Sequence, residues 1–254
     1  MRILTIVRYT LLEAARARLL WLLLATLLAA VLASLFLREI AITESTRIQT
    51  AFLAALTRLA GVVIVCLYVT STMIRELNDK SLELLLSLDL GRGSYACAKF
   101  AGFCVISLTI AWLICLPLLF LAPPSAVLLW GVSLTFELWI VVALSLFCII
   151  TFSQIVPAVS FVLAFYVLAR SMEAIQLISE SGLQDQTAHS QRFMGLLVDT
   201  LALLLPSLHD FTETGWLVNQ TVQWSMLVPV LVQSAIYLVV LLCATLFDLY
   251  RKNF

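Results

Sequence analysis

The sequence is poor in charged residues. Asp, Glu, Lys and Arg make up 12% of its 254 residues, whereas 63% are hydrophobic and the formal net charge is zero. A soluble domain carries about 25% charged residues, so this composition excludes an ordinary soluble fold and predicts a surface covered by lipid. The balanced charge gives no reason to expect a nucleic-acid partner.

The sequence also lacks the motifs of catalysis. It contains no G-x-x-x-x-G-K-[ST] segment, whose backbone would cradle the phosphates of a nucleotide, and no nucleophile elbow. We therefore expect no catalytic residues, no resident cofactor and no metal. The protein is not expected to be an enzyme by itself.

The six cysteines lie in or beside apolar segments, which argues against a disulfide framework. Cys97, Cys104 and Cys115 are separated by 7 and 11 residues, and these intervals return to one face of an α-helix. Two interpretations of this stripe are open: small residues that pack a helix contact, or soft thiolates that bind Cu(I). The packing interpretation is favoured.

Long apolar segments take the place of the missing charge. A helix needs about 20 mostly apolar residues to cross the hydrocarbon core of a bilayer, and between Lys99 and Arg170 the only charged residue is Glu137. The pattern predicts an all-α integral membrane protein, a single transmembrane domain over residues 1–254. Its six spans are expected at residues 19–37, 51–74, 100–121, 126–152, 155–169 and 226–247.

The distribution of basic residues predicts the orientation. With both termini inside, ten Lys and Arg residues fall on the inner side and five on the outer side, which is the bias of a multi-pass protein in the cytoplasmic membrane. On the inner side, residues 1–18 are expected to form an amphipathic helix at the interface.

The outer segment at residues 171–225 is acidic and is a possible surface for an extracytoplasmic partner. Within it, residues 196–208 are apolar over 13 positions around Asp199. Thirteen residues are too few to span, so a re-entrant or interfacial helix is expected there.

The polar segment at residues 75–99 separates the second and third spans. Leu82, Leu85 and Leu86 form an apolar stripe that predicts a short helix lying along the membrane. Lys99 opens the third span, where we expect its ammonium group to reach the interface. From the residues alone, an ordinary solvated loop is an equally good interpretation.

This segment resembles the cytoplasmic loop of the permease subunits of ABC-2 type ATP-binding-cassette transporters. In that family an acidic-basic pair precedes a Leu-Glu-Leu-Leu-like helix, which is followed by a turn with Arg and a Lys at the third span. The residues that carry the resemblance are Arg75, Glu76, Leu82, Glu83, Leu84, Leu85, Ser87, Arg92 and Lys99. Residues 8–16 and 247–254 are similar to the opening and the basic tail of the same family, and the cysteine stripe suggests its branch of permeases for nitrous oxide reductase maturation.

The resemblance implies a function. The helix at residues 82–88 would dock into a separate ATPase subunit, held by Glu76, Glu83 and Arg92, and the ATP would be bound by that partner. Two ATPases and two permeases, the second a copy or a paralogue, would export a cargo. The alternatives are a secondary transporter that uses an intramembrane carboxylate, or a membrane scaffold.

Glu137 is the candidate intramembrane carboxylate. A charge at that depth is costly and is a functional candidate by default. Three interpretations are open: Glu137 pairs with Arg58 and locks the bundle, it faces the translocation path, or it is protonated or hydrogen-bonded to Ser or Thr in a helix contact.

Overall fold

The computed structural model describes residues 2–17, 19–40, 44–78, 92–181, 200, 205–219 and 223–251. In these ranges the regular structure is helical throughout: α1 (Arg2–Arg16), α2 (Leu19–Ile40), α3 (Ser45–Asn78), α4 (Arg92–Leu118), α5 (Pro124–Phe152), α6 (Ile155–Ser181), α7 (Thr214–Val218), a 3-10 turn (Trp224–Met226) and α8 (Leu227–Arg251). Six of these helices, α2 to α6 and α8, are long and apolar enough to cross a membrane. The protein is an all-α, multi-pass membrane protein, as the sequence predicts.

Several helices are longer than the predicted spans. α3 covers residues 45–78 instead of 51–74, and α4 begins at Arg92 instead of Phe100. The 34 residues of α3 make a rod of about 50 Å, well beyond the roughly 30 Å of the hydrocarbon core. The hydropathy of the sequence identifies only the part of a helix that lies in lipid. The backbone hydrogen bonds of the helix continue beyond that part into water.

α5 is the central helix of the bundle. It contacts α3, α4, α6, α7 and α8, and 78% of its most apolar window is buried, against 17% for α2 and for α8. Small residues let its neighbours approach closely: a Cβ atom added at Gly131 would lie 2.7 Å from the Sγ of Cys115 on α4. α2 and α8 therefore lie at the periphery, with most of their surface available to lipid.

The helix ends follow local chemistry. Pro124 occupies the first position of α5, where its missing N–H costs nothing, and Pro117 lies one residue before the end of α4. α5 ends at Ser153, which adopts a left-handed conformation (φ 54°) and donates its N–H to the carbonyl of Ile149 at 3.0 Å. The chain then reverses directly into α6.

We call the end of the bundle that carries residues 75–78 and 92–99 the basal end, and the opposite end the distal end. At the basal end α1 packs along α4, with Thr10 and Ala14 of its predicted apolar stripe buried. A Cβ atom added at Gly102 of α4 would lie 3.1 Å from the Cβ of Thr10. The inward face of α1 is thus covered by protein, while Tyr9 and Leu12 remain exposed.

At the distal end, residues 205–219 fold into the bundle. Residues 208–212 form turns that precede α7, and Leu208, Phe211 and Trp216 are buried. The apolar helix expected at residues 196–208 lies mostly outside the described residues: of its described positions, residue 200 is helical and residues 205–208 are not. This described stretch, called the distal plug (residues 205–219), places backbone polar groups deep in the protein, where non-helical chain is tolerated because protein surrounds it.

Candidate functional site

A buried polar cluster surrounds Glu137 near the middle of α5. Its carboxylate is fully buried and accepts two hydrogen bonds, from the hydroxyl of Tyr166 on α6 at 2.7 Å and from the hydroxyl of Thr212 in the distal plug at 2.7 Å. Each carboxylate oxygen therefore has one donor, and these donors offset part of the cost of removing the group from water.

Thr212 is the centre of this cluster. Its N–H donates to the Oγ of Ser133 at 3.0 Å, and its carbonyl accepts from the Nε1 of Trp130 at 3.2 Å. Its backbone is left-handed (φ 47°), an unfavourable conformation for a β-branched residue. The strained position persists because the N–H, the carbonyl and the hydroxyl all have partners on the surrounding helices.

Two arginines on neighbouring helices reach the same turn. Arg58 of α3 donates through Nη1 to the carbonyl and the Oγ1 of Thr212, both at 3.3 Å. Arg170 of α6 donates to the carbonyls of Leu208 and Phe211, the latter at 2.6 Å. These bonds fasten the distal plug to α3, α5 and α6 at once.

The hydrogen bonds of Glu137 can be compared with its three interpretations. Arg58 and Glu137 share the hydroxyl of Thr212 but form no direct ion pair within the described part of the chain. The two side chains are thus linked through a bridging hydroxyl and not by the direct pair of the first interpretation. Glu137 is hydrogen-bonded to a threonine, as the third interpretation has it, although that threonine belongs to a turn and not to a helix contact.

A cleft opens beside this cluster between α3 and α6. It has a volume of about 440 Å³, and its walls are mostly apolar side chains such as Leu56 and Val167, with Arg58, Tyr166 and Arg170 at its polar side. Of the three interpretations, a path for cargo would use this cleft, because Arg58 and Tyr166 line it while Glu137 lies behind Tyr166.

A second polar cluster ties the helices together at the basal end. Glu76 of α3 accepts hydrogen bonds from the ammonium of Lys99 and, at 2.5 Å, from the hydroxyl of Tyr95, both on α4. The Lys99 and Glu76 side chains are 7% and 15% exposed. Lys99 was expected to extend to the interface; instead a carboxylate on the neighbouring helix holds it in the protein interior.

Arg75 adds the interfacial helix to this arrangement. Its guanidinium bonds to the carboxylate of Glu13 on α1. α1, α3 and α4 are therefore joined at the point where the polar segment leaves and re-enters the bundle. Of the residues predicted to couple to an ATPase, Arg75 and Glu76 contact other parts of this chain. Leu82, Glu83, Leu85 and Leu86 lie outside the described residues, as does the side chain of Arg92.

The cysteine stripe divides into two environments. Cys104 and Cys115 are buried within the bundle, whereas Cys97 is exposed. All six cysteines are free thiols, and no group of three or more His, Cys, Asp or Glu side chains converges in the described ranges. Cys115 fills the notch above Gly131, which is the packing role that the spacing favours.

The sequence indicated Glu137 and Arg58 but not the residues that join them. Tyr166 and Arg170 are separated by four positions on α6 and so share a face. This spacing could have predicted that both side chains contribute to the same polar site. Nothing in the local pattern marks Thr212, whose partners are 42 to 154 residues away along the chain.

No protein-family model matches the chain, and no curated protein matches it in sequence. The two clusters are therefore interpreted from their own geometry.

Proposed function

We propose that this chain is the permease subunit of an ATP-driven ABC-2 type exporter, residing in the cytoplasmic membrane with the basal end inside. The sequence resemblance at residues 75–99 suggests the family. One structural observation supports it: the polar segment is anchored at both of its ends to a rigid helical base.

In this proposal the basal ends of α3 and α4 move as one unit. The segment leaves α3 at Asn78 and re-enters α4 at Arg92, and the Glu76–Lys99 bond crosses between these two helices within a turn or two of both points. A displacement of residues 79–91 would then move α3 and α4 together, because a buried, hydrogen-bonded ion pair resists separation. The Glu13–Arg75 bond would carry α1 along with them.

In this proposal a separate ATPase binds the segment through Leu82, Glu83, Leu85, Leu86 and Arg92. Closure of two ATPase subunits on ATP would rock two permease chains against each other, and α3 would carry the movement to Arg58 in the cleft. The resemblance implies that Arg75 and Glu76 contact the ATPase. In this proposal they instead hold α1, α3 and α4 together.

The test is reconstitution with a P-loop ATPase encoded beside the gene. The tagged chain is expected to retain that ATPase through purification and to stimulate its ATP hydrolysis in lipid vesicles. The charge exchange Glu83→Arg with Arg92→Glu should abolish both. Arg38→Glu with Glu39→Arg, an exchange of two exposed residues at the distal end, is the matched control and should leave both unchanged.

Retention of the ATPase by the Glu83→Arg, Arg92→Glu chain would contradict the assignment of the docking segment. Transport that continues without ATP and follows a proton gradient would favour the secondary-transporter alternative, with Glu137 as its intramembrane carboxylate.

A further inference from the structure

We propose that the cleft between α3 and α6 binds an anionic amphiphile, with its acidic headgroup on Arg58 and its apolar chain along α3. The proposal concerns binding and holds whether or not an ATPase drives the chain.

The first observation is the state of Arg58. Its guanidinium makes hydrogen bonds only to neutral oxygens of Thr212, and its Nε atom is buried without an acceptor among the described residues. No carboxylate of the described chain lies within ion-pair distance of it. A half-buried guanidinium at membrane depth that has no carboxylate in direct contact is costly, so a bound anion would stabilise it.

The second observation is the position of that group. Arg58 lies 13 residues into α3 from Ser45, about 20 Å along the helix axis, and it lines the cleft directly. A planar guanidinium with several N–H donors binds phosphate and carboxylate oxygens in a fixed orientation. Since Nη1 is engaged by Thr212 and Nε is buried, Nη2 is the guanidinium nitrogen that would donate to a ligand.

The third observation is the apolar wall. Phe52, Leu56, Leu59 and Val167 line the same cleft, and Leu59 and Val167 are 46% and 58% exposed on the outer surface of the bundle. In a membrane that surface is lipid, so the cleft is open to an acyl chain from the side. Its volume of about 440 Å³ is in the usual range for small-molecule sites.

Together these features select the ligand class. A free inorganic anion would satisfy Arg58 but leave the apolar wall unfilled, and a neutral lipid would do the reverse. An amphiphile with a net negative headgroup fits both. Arg170, at the same polar side of the cleft, adds a second guanidinium near the headgroup.

The experiment is photo-crosslinking in nanodiscs. Phosphatidylglycerol with a diazirine in one acyl chain is incorporated at low fraction into phosphatidylcholine discs with the full chain, and the labelled residues are mapped by mass spectrometry. Labelling is expected on residues 52–59 and 166–171. Phosphatidylcholine with the same diazirine should label these residues about tenfold less, the difference that one charge-assisted hydrogen bond produces.

Two variants test the two halves of the site. Arg58→Gln should lower the phosphatidylglycerol labelling about tenfold, whereas Arg38→Gln, an exposed arginine at the same end, should not change it. Because Arg58 also holds Thr212, Ala55→Trp is made as well: it fills the cleft from α3, leaves the Thr212 bonds in place, and should lower labelling equally. Unchanged labelling in Ala55→Trp, or equal labelling by both lipids, would overturn the proposal.

Two further arms separate other occupants. Soluble glycerol 3-phosphate should not compete with the lipid, and competition at equal concentration would reduce the site to one for a free anion. If labelling is absent and a Leu59→Cys chain lacking Cys97 and Cys243 forms disulfide-linked dimers, the proposal is wrong and a second copy covers the cleft.

Discussion

The hydroxyl of Thr212 donates to the carboxylate of Glu137 across 2.7 Å and joins a turn at the distal end to the centre of the bundle. The contact closes a non-helical segment onto the most buried helix of the protein, and the same hydroxyl accepts a hydrogen bond from Arg58 at 3.3 Å. Within the distal plug, Thr212 therefore binds a carboxylate and a guanidinium through the same hydroxyl.

Two replacements of Thr212 distinguish the contribution of its hydroxyl group to stability from that of its side-chain shape. Thr212→Val keeps the volume but removes the donor to Glu137, and we expect it to lower the free energy of unfolding by about 1–3 kcal/mol, because a buried carboxylate loses one of its two donors. Thr212→Ser keeps the hydroxyl and relieves the β-branched residue at positive φ, so its stability should equal or exceed that of the original chain. Melting midpoints in detergent micelles measure both, and equal midpoints for the two variants would remove Thr212 from its central role.

Substitution of Glu137 distinguishes hydrogen bonding from charge. Glu137→Leu leaves the hydroxyls of Tyr166 and Thr212 without their acceptor and should cost about 2–4 kcal/mol. Glu137→Gln has the same shape: its amide oxygen can accept from one hydroxyl and its amide nitrogen can donate to the other, so its melting midpoint should stay close to the original. If Glu137→Gln also keeps full transport, the charge of Glu137 has no part in the transport cycle.

The basal ion pair should behave as a buried one. Lys99→Met removes the cation that is paired with the largely buried Glu76 carboxylate, and we expect a loss of about 3–5 kcal/mol. The double change Lys99→Met with Glu76→Gln removes the uncompensated charge and should recover part of that loss. Arg47→Ala breaks the exposed Glu44–Arg47 pair, whose side chains are 64% and 54% exposed, and should change stability by less than about 1 kcal/mol. A similar small effect at Lys99 would mean that the basal pair is not buried in the membrane-embedded protein.

The contact between α4 and α5 depends on the absence of a side chain. Gly131→Ala places a methyl group 2.7 Å from the Sγ of Cys115, and overpacking of this kind costs about 1–3 kcal/mol. Cys115→Ala removes the sulfur, so the double variant should be more stable than Gly131→Ala alone. Gly93→Ala meets its nearest neighbour only at 3.6 Å and serves as the neutral control. A Gly131→Ala chain that Cys115→Ala fails to rescue would show that the two residues are not in contact.

Cys97 reports the orientation of the chain. It is exposed near the start of α4, at the basal end, whereas Cys66, Cys104, Cys115 and Cys148 are buried. Cys243 is also exposed, but it lies within α8, facing lipid, where a charged reagent does not enter. A membrane-impermeant maleimide should therefore label inverted vesicles and not intact cells, and Cys97→Ser should abolish the signal. Labelling of intact cells would reverse the predicted orientation.

The spans could be predicted from the sequence because their signal is local. Each residue of a span meets lipid or another apolar helix, so its own hydropathy reports its surroundings, and the segments expected around Leu19, Phe100 and Met226 all lie in helices. Lys99 shows where this reasoning stops. Its position beside an apolar run indicates the interface, yet its burial follows from Glu76 on another helix. Whether a charge reaches water or a partner depends on tertiary structure that a linear pattern does not contain.

Glu137 is synthesised well before the residues that donate hydrogen bonds to it. Tyr166 follows Glu137 by 29 residues and Thr212 follows it by 75, so a ribosome adding about 5–20 residues per second delivers the second donor roughly 4–15 seconds after it has added Glu137. During that interval α5 carries a carboxyl group with at most one of its two donors. The second donor to Glu137 is therefore supplied by a turn, not by a spanning helix, and until that turn arrives the membrane insertion machinery must hold α5 with its carboxyl group incompletely bonded.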